Sequence, residues 1–429
     1  MTDYDNQLLR QAIIHAKAGE YEAARRYLAR ALDLADDRET RVWANYWMSK
    51  VVNDPQEKRE YLEETLAYEP THPEARRELA ILDGKLKPED LVNPDALPTA
   101  TAEAQTAQAD RFTCPKCGGR MVYAPDGRSL YCEYCTRNQT LSAAPLQQEQ
   151  DFILKMATAQ GHRTALAVKT LTCQGCGAQF VLPPQQMTGE CAYCGSNHII
   201  RGDGQLLQPD SILPMRLTQS QAVQTLVNWV EQQGIQPQRK VQVPRGMYLP
   251  MWTFDIIGVI PWSGYIVRSK YNSSEWEERE YVQGEKQIYY DDILVPGAPK
   301  LADLLPMIAS AFEIQSAVPY DARYLAGWPA ELPQMSLAQA SLEARQQAAY
   351  RARQFIQRDF GSQHIVNFSY STARVSVATF KLVLVPLWLT ILPAEGSEYR
   401  VLIDGVKGTL YCELPPRGWM GWLKQLLGT

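Results

Sequence analysis

Eight of the nine cysteines fall into four Cys-x-x-Cys pairs, and the pairs form two sets with the same internal spacing. The first set, Cys114, Cys117, Cys132 and Cys135, reads CPKC, fourteen residues, CEYC. The second, Cys173, Cys176, Cys191 and Cys194, reads CQGC, fourteen residues, CAYC. A Cys-x-x-Cys knuckle aims two sulfurs at one point, and two knuckles joined by a short hairpin complete a tetrahedron of thiolates suited to zinc. Two zinc ions are therefore expected, one per set. Four thiolates fill the tetrahedron and leave no position for water, so both ions are expected to be structural rather than catalytic. Iron in a tetrahedral sulfur site uses the same ligands and stays open. A thioredoxin-like redox pair would instead need one such motif at the start of a helix. The ninth cysteine, Cys412, lies alone in a strand-like stretch and is expected to act as a small apolar residue.

The residues around the ligands support a hairpin geometry of zinc-ribbon type. Gly118, Gly177 and Gly195 each follow the second cysteine of a knuckle, where positive φ lets backbone N–H groups turn toward sulfur. The remaining knuckle has Thr136 at that place, which is expected to loosen its geometry without removing a ligand. A ribbon of fewer than ~30 residues cannot bury enough apolar surface to fold unaided. Structural zinc contributes roughly 10 to 16 kcal/mol per site, so the metal is expected to be chiefly a folding element.

Other chemistry is hard to find. The five histidines, at 15, 72, 162, 198 and 364, are dispersed and offer no nucleus for acid/base catalysis. A nucleophile elbow, a His-Glu-x-x-His helix and a Gly-x-Gly-x-x-Gly fingerprint are all missing. The acidic runs Glu275/Glu277/Glu278/Glu280 and Asp291/Asp292 read as solvated strand faces or edge protection. Around the first cysteine set, Lys116, Arg120 and Arg128 stand with Arg111 and Arg137 among Phe112, Tyr123, Tyr131 and Tyr134. Basic groups that grip phosphates and rings that stack on bases make single-stranded DNA or RNA an alternative ligand.

The formal net charge of −5 confines any nucleic-acid contact to a local patch. With 45% hydrophobic and 21% charged residues, the 429-residue chain has a globular composition, and its length suggests two to four domains. The amino-terminal stretch lacks the features of a signal peptide, and the longest apolar run, Leu382 to Leu392, is interrupted by Pro386 and far too short to span a bilayer. Paired cysteines without a secretory signal fit a reducing cytoplasmic setting.

The elements expected to position these residues fall into three regions. Residues 1–85 are helical. Within them Gly19, Tyr21, Ala24, Leu28, Ala31 and Leu32 recur at spacing that resembles a tetratricopeptide repeat, and Leu62, Thr65, Leu66 and Pro70 hold the register 34 residues later. Pro73 opens a third helix that would cap the array. The resemblance implies that Trp43 and Trp47 line a concave, partner-facing surface and that the array recruits a protein partner. Residues 86–110, rich in Pro, Ala, Thr and acidic groups, read as a flexible linker that leaves the halves free of one another. The ribbons are expected at 111–140 and 163–204, joined over 141–162 by a helix spanning Pro145 to Gln160.

Residues 205–429 read as an α+β domain with mainly antiparallel sheet. Capping boxes at Thr218/Gln221 and Ser336/Gln339 start two of its helices, and a further helix is expected from Lys300 to Phe312. The second boxed helix is expected to bury Leu342, Ala349, Ala352 and Ile356. Four phrases here, YLPMWTFD (248–255), YLAGW (324–328), VPLWL (385–389) and VLIDGVKG (401–408), resemble bacterial zinc-ribbon proteins of unassigned function. Some of those carry transcription-factor-like or helicase labels, and a helicase is excluded because no Gly-x-x-x-x-Gly-Lys-Ser/Thr loop is present. The resemblance implies a fold but no activity. The expectation is a non-enzymatic, zinc-binding interaction or scaffold protein, with nucleic-acid binding through the first ribbon as the alternative and an aromatic-lined enzymatic cleft in the terminal domain as a third possibility.

Overall fold

The computed structural model describes residues 3–92, 105–107, 109–110, 112–141, 149–162, 169–172, 179–182, 187–190, 197–200, 208–235, 241–269, 277–298, 312–361, 364–394 and 397–412. The expected helix at Lys300 to Phe312 lies almost wholly outside these residues. Among them, no helix is long and apolar enough to cross a membrane.

Five helices come first: α1 (Asp3–Lys17), α2 (Tyr21–Leu34), α3 (Arg38–Val51), α4 (Pro55–Tyr68) and α5 (Pro73–Leu82). Their starts are written locally. Asp37 accepts hydrogen bonds from the Thr40 backbone N–H at 2.8 Å and its hydroxyl at 2.7 Å, and Asp54 caps Glu57 at 2.8 Å. Pro55 and Pro73 occupy first-turn positions whose N–H groups would be unpaired anyway. Ala12, Ala16, Ala24 and Ala44 lie in the buried seam with Leu9, Leu28, Met48 and Val51, and the small residues let the helices approach closely.

The stretch expected to be a linker is paired where it is described. Leu91 bridges Thr158, Val92 N–H donates to Ala157 O at 3.0 Å, and β1 (Gln105–Ala107) and β2 (Ala109–Asp110) join small sheets farther along the chain. Next come β3 (Met121–Ala124), β4 (Ser129–Cys132) and β5 (Asn138–Thr140), an antiparallel sheet in that order. Within the described part of the helix expected over Pro145 to Gln160, which begins at residue 149, Gln150–Asp151 is a strand, β6, which pairs with Thr379 and Phe380, Phe152–Met156 is an α-helix, α6, and Ala159–His162 forms a 3-10 turn. Edge pairing satisfies the backbone of β6, and Asp151 then caps α6 by accepting from Leu154 N–H at 3.0 Å. Two small strand pairs follow, β7 (Lys169–Thr172) with β8 (Gln179–Leu182) and β9 (Thr188–Glu190) with β10 (Asn197–Ile200).

The remainder is a large, mainly antiparallel sheet with helices against it. Its elements are β11 (Ser211–Ile212), α7 (Gln219–Gln232), β12 (Arg245–Ser269), β13 (Glu277–Pro296), β14 (Val318–Pro319), α8 (Leu337–Asp359), β15 (Ile365–Tyr370), β16 (Val375–Ala394), β17 (Ser397–Asp404) and β18 (Leu410–Cys412). The central order is β13-β12-β16-β11-β14, and only the β11–β16 pairing is parallel within it. Both expected capping boxes form.

Alternation along β12 places Trp252, Phe254, Ile256 and Ile260 on one face, where α8 covers them. The buried stripe of α8 is Leu337, Ala340, Ala344, Ala348, Ala352 and Ile356, whereas Leu342, expected in the core, is 60% exposed. The bulk on that side comes from the sheet's aromatic rings, so the helix contributes small residues and its larger Leu342 turns outward.

Candidate metal centre

Two reverse turns build the first cysteine site, one before β3 and one after β4. The turns repeat one another. Cys114 N–H donates to Gly119 O at 2.8 Å and Gly118 N–H to Cys114 O at 2.8 Å, while Cys132 N–H donates to Arg137 O at 2.9 Å and Thr136 N–H to Cys132 O at 3.1 Å. Gly118 has φ 71° and Thr136 has φ 55°, so the threonine takes the left-handed conformation that glycine adopts in the other knuckle. The Cys114 and Cys135 sulfurs lie 3.6 Å apart, those of Cys117 and Cys132 3.5 Å apart, and all four within 4.8 Å of one another.

This arrangement can hold a metal ion. Burial raises the Cys114 thiol, but the N–H groups of Lys116 and Cys117 outweigh it and bring the group down to about 6. Gly119 N–H works to lower Cys117, yet neighbouring sulfurs at Cys132 and Cys135 push it up to about 12. Four sulfurs this close cannot all ionise against one another, whereas a divalent cation at their centre lets all four become thiolates. The donor set is all sulfur and four in number, which fits a closed tetrahedral ion. Cys173, Cys176, Cys191 and Cys194 lie outside the described residues.

The cysteine-bearing sheet is bolted to the large sheet. Tyr123 N–H donates to Ala326 O at 2.8 Å, and the Trp328 indole N–H returns a bond to Tyr123 O at 3.0 Å. Tyr123 is buried and meets Tyr324 edge-on, with ring centroids 5.1 Å apart. Gly327, at φ 84°, brings its backbone against Val122, where a Cβ would sit 2.8 Å from the valine side chain. Trp328 in turn packs edge-on against Trp388 at 5.6 Å and over Gly246, where a Cβ would lie 2.4 Å from its ring. The loop reaches β12 as well, since Tyr248 N–H donates to Pro329 O at 2.8 Å. Three of the distinctive phrases thus meet at one joint. The fourth contains Asp404, whose buried carboxylate accepts from Val406 and Lys407 N–H at 2.8 and 3.1 Å and closes the β17–β18 turn.

Lys116 and Arg128 are exposed, while the Arg120 guanidinium lies 3.6 Å from the Glu133 carboxylate. Tyr131 and Tyr134 are exposed, but Tyr123 belongs to the core and presents no face to a base. On the helical array, Trp43 is 38% exposed and meets His72 at 5.3 Å and Tyr46 at 6.1 Å, both edge-on. It lines a cavity of about 750 Å³ with Val42, Glu69, Thr71, Ile257, Val259 and Arg374, between the array and the large sheet. Trp47 is partly buried, packs on both helical cores and faces Lys17 at 5.9 Å. The structure therefore separates two tryptophans that share a helix.

A second convergence takes in Asp292, which the sequence reads as part of a solvated face and the structure half-buries. Carboxylate oxygens of Glu149, Asp255 and Asp292 lie within 4.8 Å of one another. Both β12 ladders slip at Asp255, and Asp292 has φ 52°, so a bulge turns Asp292 inward while Asp291 stays exposed. Lys381 Nζ sits 2.6 Å from Glu149 and supplies a positive charge from within the protein. Burial, then the hydrogen bond to Glu149, raises the Asp255 carboxyl to about 7. Burial, then Asp291 and Glu149, raises Asp292 as well. The available signal was a lone carboxylate in an apolar run, MWTFDIIGV.

Comparison with known proteins adds a relative without an assigned role. The chain is 21% identical over 316 residues to an uncharacterized protein of Bacillus subtilis (strain 168), YdjG, an alignment covering 71% of this chain and 89% of that one. No protein-family model matches the chain, and no solved structure matches it.

Proposed function

We propose that the chain is a non-enzymatic interaction or scaffold protein, in which tetratricopeptide-like helices recruit a protein partner and zinc at Cys114, Cys117, Cys132 and Cys135 is structural. The observation that carries this reading is Trp43. A large ring, more than a third exposed, lines a cleft together with Ile257 and Val259. Tryptophan in such a setting is a common anchor of protein interfaces, because it buries much area at little entropic cost. Closed four-sulfur coordination supports the structural role of the ion. The second ribbon, at Cys173, Cys176, Cys191 and Cys194, would take a second zinc by the same logic of spacing.

Capture from a cell extract with the full chain as bait, followed by the same experiment with Trp43→Ala, tests the recruiting surface. The variant is expected to lose partners while circular dichroism shows α1–α5 still folded, although it gives up the edge-on contacts with Tyr46 and His72. Unchanged capture refutes the role of the cleft. Nucleic-acid binding through the first ribbon is the second reading, favoured by the exposure of Lys116, Arg128, Tyr131 and Tyr134 on one small unit. It requires salt-sensitive retention of single-stranded DNA or RNA that weakens on Lys116→Glu and Arg128→Glu.

A further inference from the structure

We propose that Asp255, protonated and linked through the Thr379 hydroxyl to Glu149, is a proton latch that holds β6, and with it the docked helical array, against the large sheet. The inference does not depend on the partner reading above. Its basis is a proton count. Thr379 Oγ1 carries one hydrogen yet lies within hydrogen-bonding distance of two carboxylates, Glu149 Oε2 at 2.7 Å and Asp255 Oδ2. A single hydroxyl hydrogen serves one of them, so the other contact needs a proton on the carboxyl side. Glu149 is paired with Lys381 and is the group that stays ionised. Asp255 is therefore the carboxyl that carries the proton, within hydrogen-bonding reach both of Thr379 and of Glu149 itself.

Among the described residues, the groups around Asp255 supply no second cation to replace that proton. From β13, Asp292 adds its carboxylate, and its backbone N–H donates to Asp255 Oδ1 at 3.1 Å; Asp291 and the exposed Tyr289 stand beside it. From the segment before β11, Asp210 accepts from Leu382 N–H at 2.7 Å and from the Gln150 amide. From β16 comes Lys381, already engaged with Glu149. Lys155 of α6 acts on Asp210 and is hydrogen-bonded to Gln160 at 2.9 Å. Loss of the Asp255 proton to solvent sets a second negative charge against Glu149.

Position gives the latch its consequence. Glu149 immediately precedes β6, which pairs with Thr379 and Phe380. The next residue but one, Asp151, caps α6 and meets Arg76 of α5 at 3.2 Å. Loosening at Glu149 is thus transmitted to the seam between the helices and the sheet.

Amide hydrogen exchange on the full, metal-loaded chain tests this, between about pH 5.5 and 8.5 and corrected for the intrinsic pH dependence of exchange. In peptides covering 149–156 and 73–82, opening is expected to increase by up to tenfold per pH unit and to level off above about pH 7, while peptides from α2 and β17 stay constant. Asp255→Asn retains a donor to Thr379 and cannot titrate, so its profile is expected to be flat at the low-pH level. A flat wild-type profile, or an unchanged slope in the variant, overturns the latch. Should that variant fail to fold, Glu149→Gln provides the second test: burial still acts on Asp255 but the neighbouring charge is gone, so the slope is expected to weaken, and an unchanged slope overturns the proposal. Millimolar Mg²⁺ or Ca²⁺ at pH 8 is expected to leave the wild-type profile unaltered; restored protection would mean that a cation, not a proton, balances the cluster.

Discussion

Two clusters among the described residues crowd ionisable side chains into a space 4.8 Å across, and they balance their charge in opposite ways. The four cysteines come from 22 consecutive residues on two matching turns, where backbone N–H groups and one another's sulfurs act on them. An ion taken from outside would supply their counter-charge. The three carboxylates come from residues 149, 255 and 292, with Lys381 at 2.6 Å and a proton shared through Thr379. Ligand density alone therefore does not define a metal site. What separates the two is whether the fold has already provided a partner for the charge.

Removing the external counter-charge should have the largest effect. Cys132→Ser is expected to destabilise the β3–β5 unit by about 10 kcal/mol, to lower bound metal by one equivalent, and to leave α1–α5 folded. Metal analysis combined with circular dichroism and limited proteolysis would show it; retention of metal and of ribbon protection would contradict the assignment. Next comes the joint that carries the ribbon. Trp328→Ala removes the indole bond to Tyr123 and the contact with Trp388, and should cost about 3 kcal/mol. Faster exchange at Tyr123 and its neighbours, with the metal still bound, is the expected signature.

At the carboxylate cluster the effect is smaller and depends on pH. Asp255 is raised in the fold, so it binds its proton more tightly there than in the unfolded chain. The corresponding stability is present at acid pH and declines as pH rises through about 7. Asp255→Asn is therefore expected to be more stable than wild type at pH 8, by about 1 to 2 kcal/mol after allowance for partial exposure, and no more stable at pH 4. Denaturant titrations at the two pH values decide it, and equal differences at both would remove the argument. The smallest effect lies back at the cysteines. Thr136→Gly relieves a left-handed threonine but gives up its hydroxyl bond to Cys135 O at 2.8 Å, for a net gain of under about 1 kcal/mol in ribbon stability.

Several helix starts are legible. Pro73 and the boxes at Thr218 and Ser336 act within one turn of their own positions, so their structural outcome needs no distant partner. Leu342 and the Pro145 to Gln160 stretch misled for the same underlying reason. A hydrophobic stripe tells which face of a helix is greasy, but the opposing surface decides how much bulk that face must supply. Likewise β6 is a strand because β16 offers it an edge, 230 residues away at the Glu149–Thr379 bond.

The cysteine cluster was set by the chain itself, because knuckle geometry depends on spacing and on a left-handed residue after the second ligand, both of which are local. Everything that anchors that cluster was decided in three dimensions. Trp328 reaches Tyr123 across 205 positions, Trp328 meets Trp388, and the bulge at Asp255 and Asp292 aims two strand residues at Glu149. Such contacts depend on strand register and on irregularities in it, which arise only when distant ladders compete for the same backbone groups.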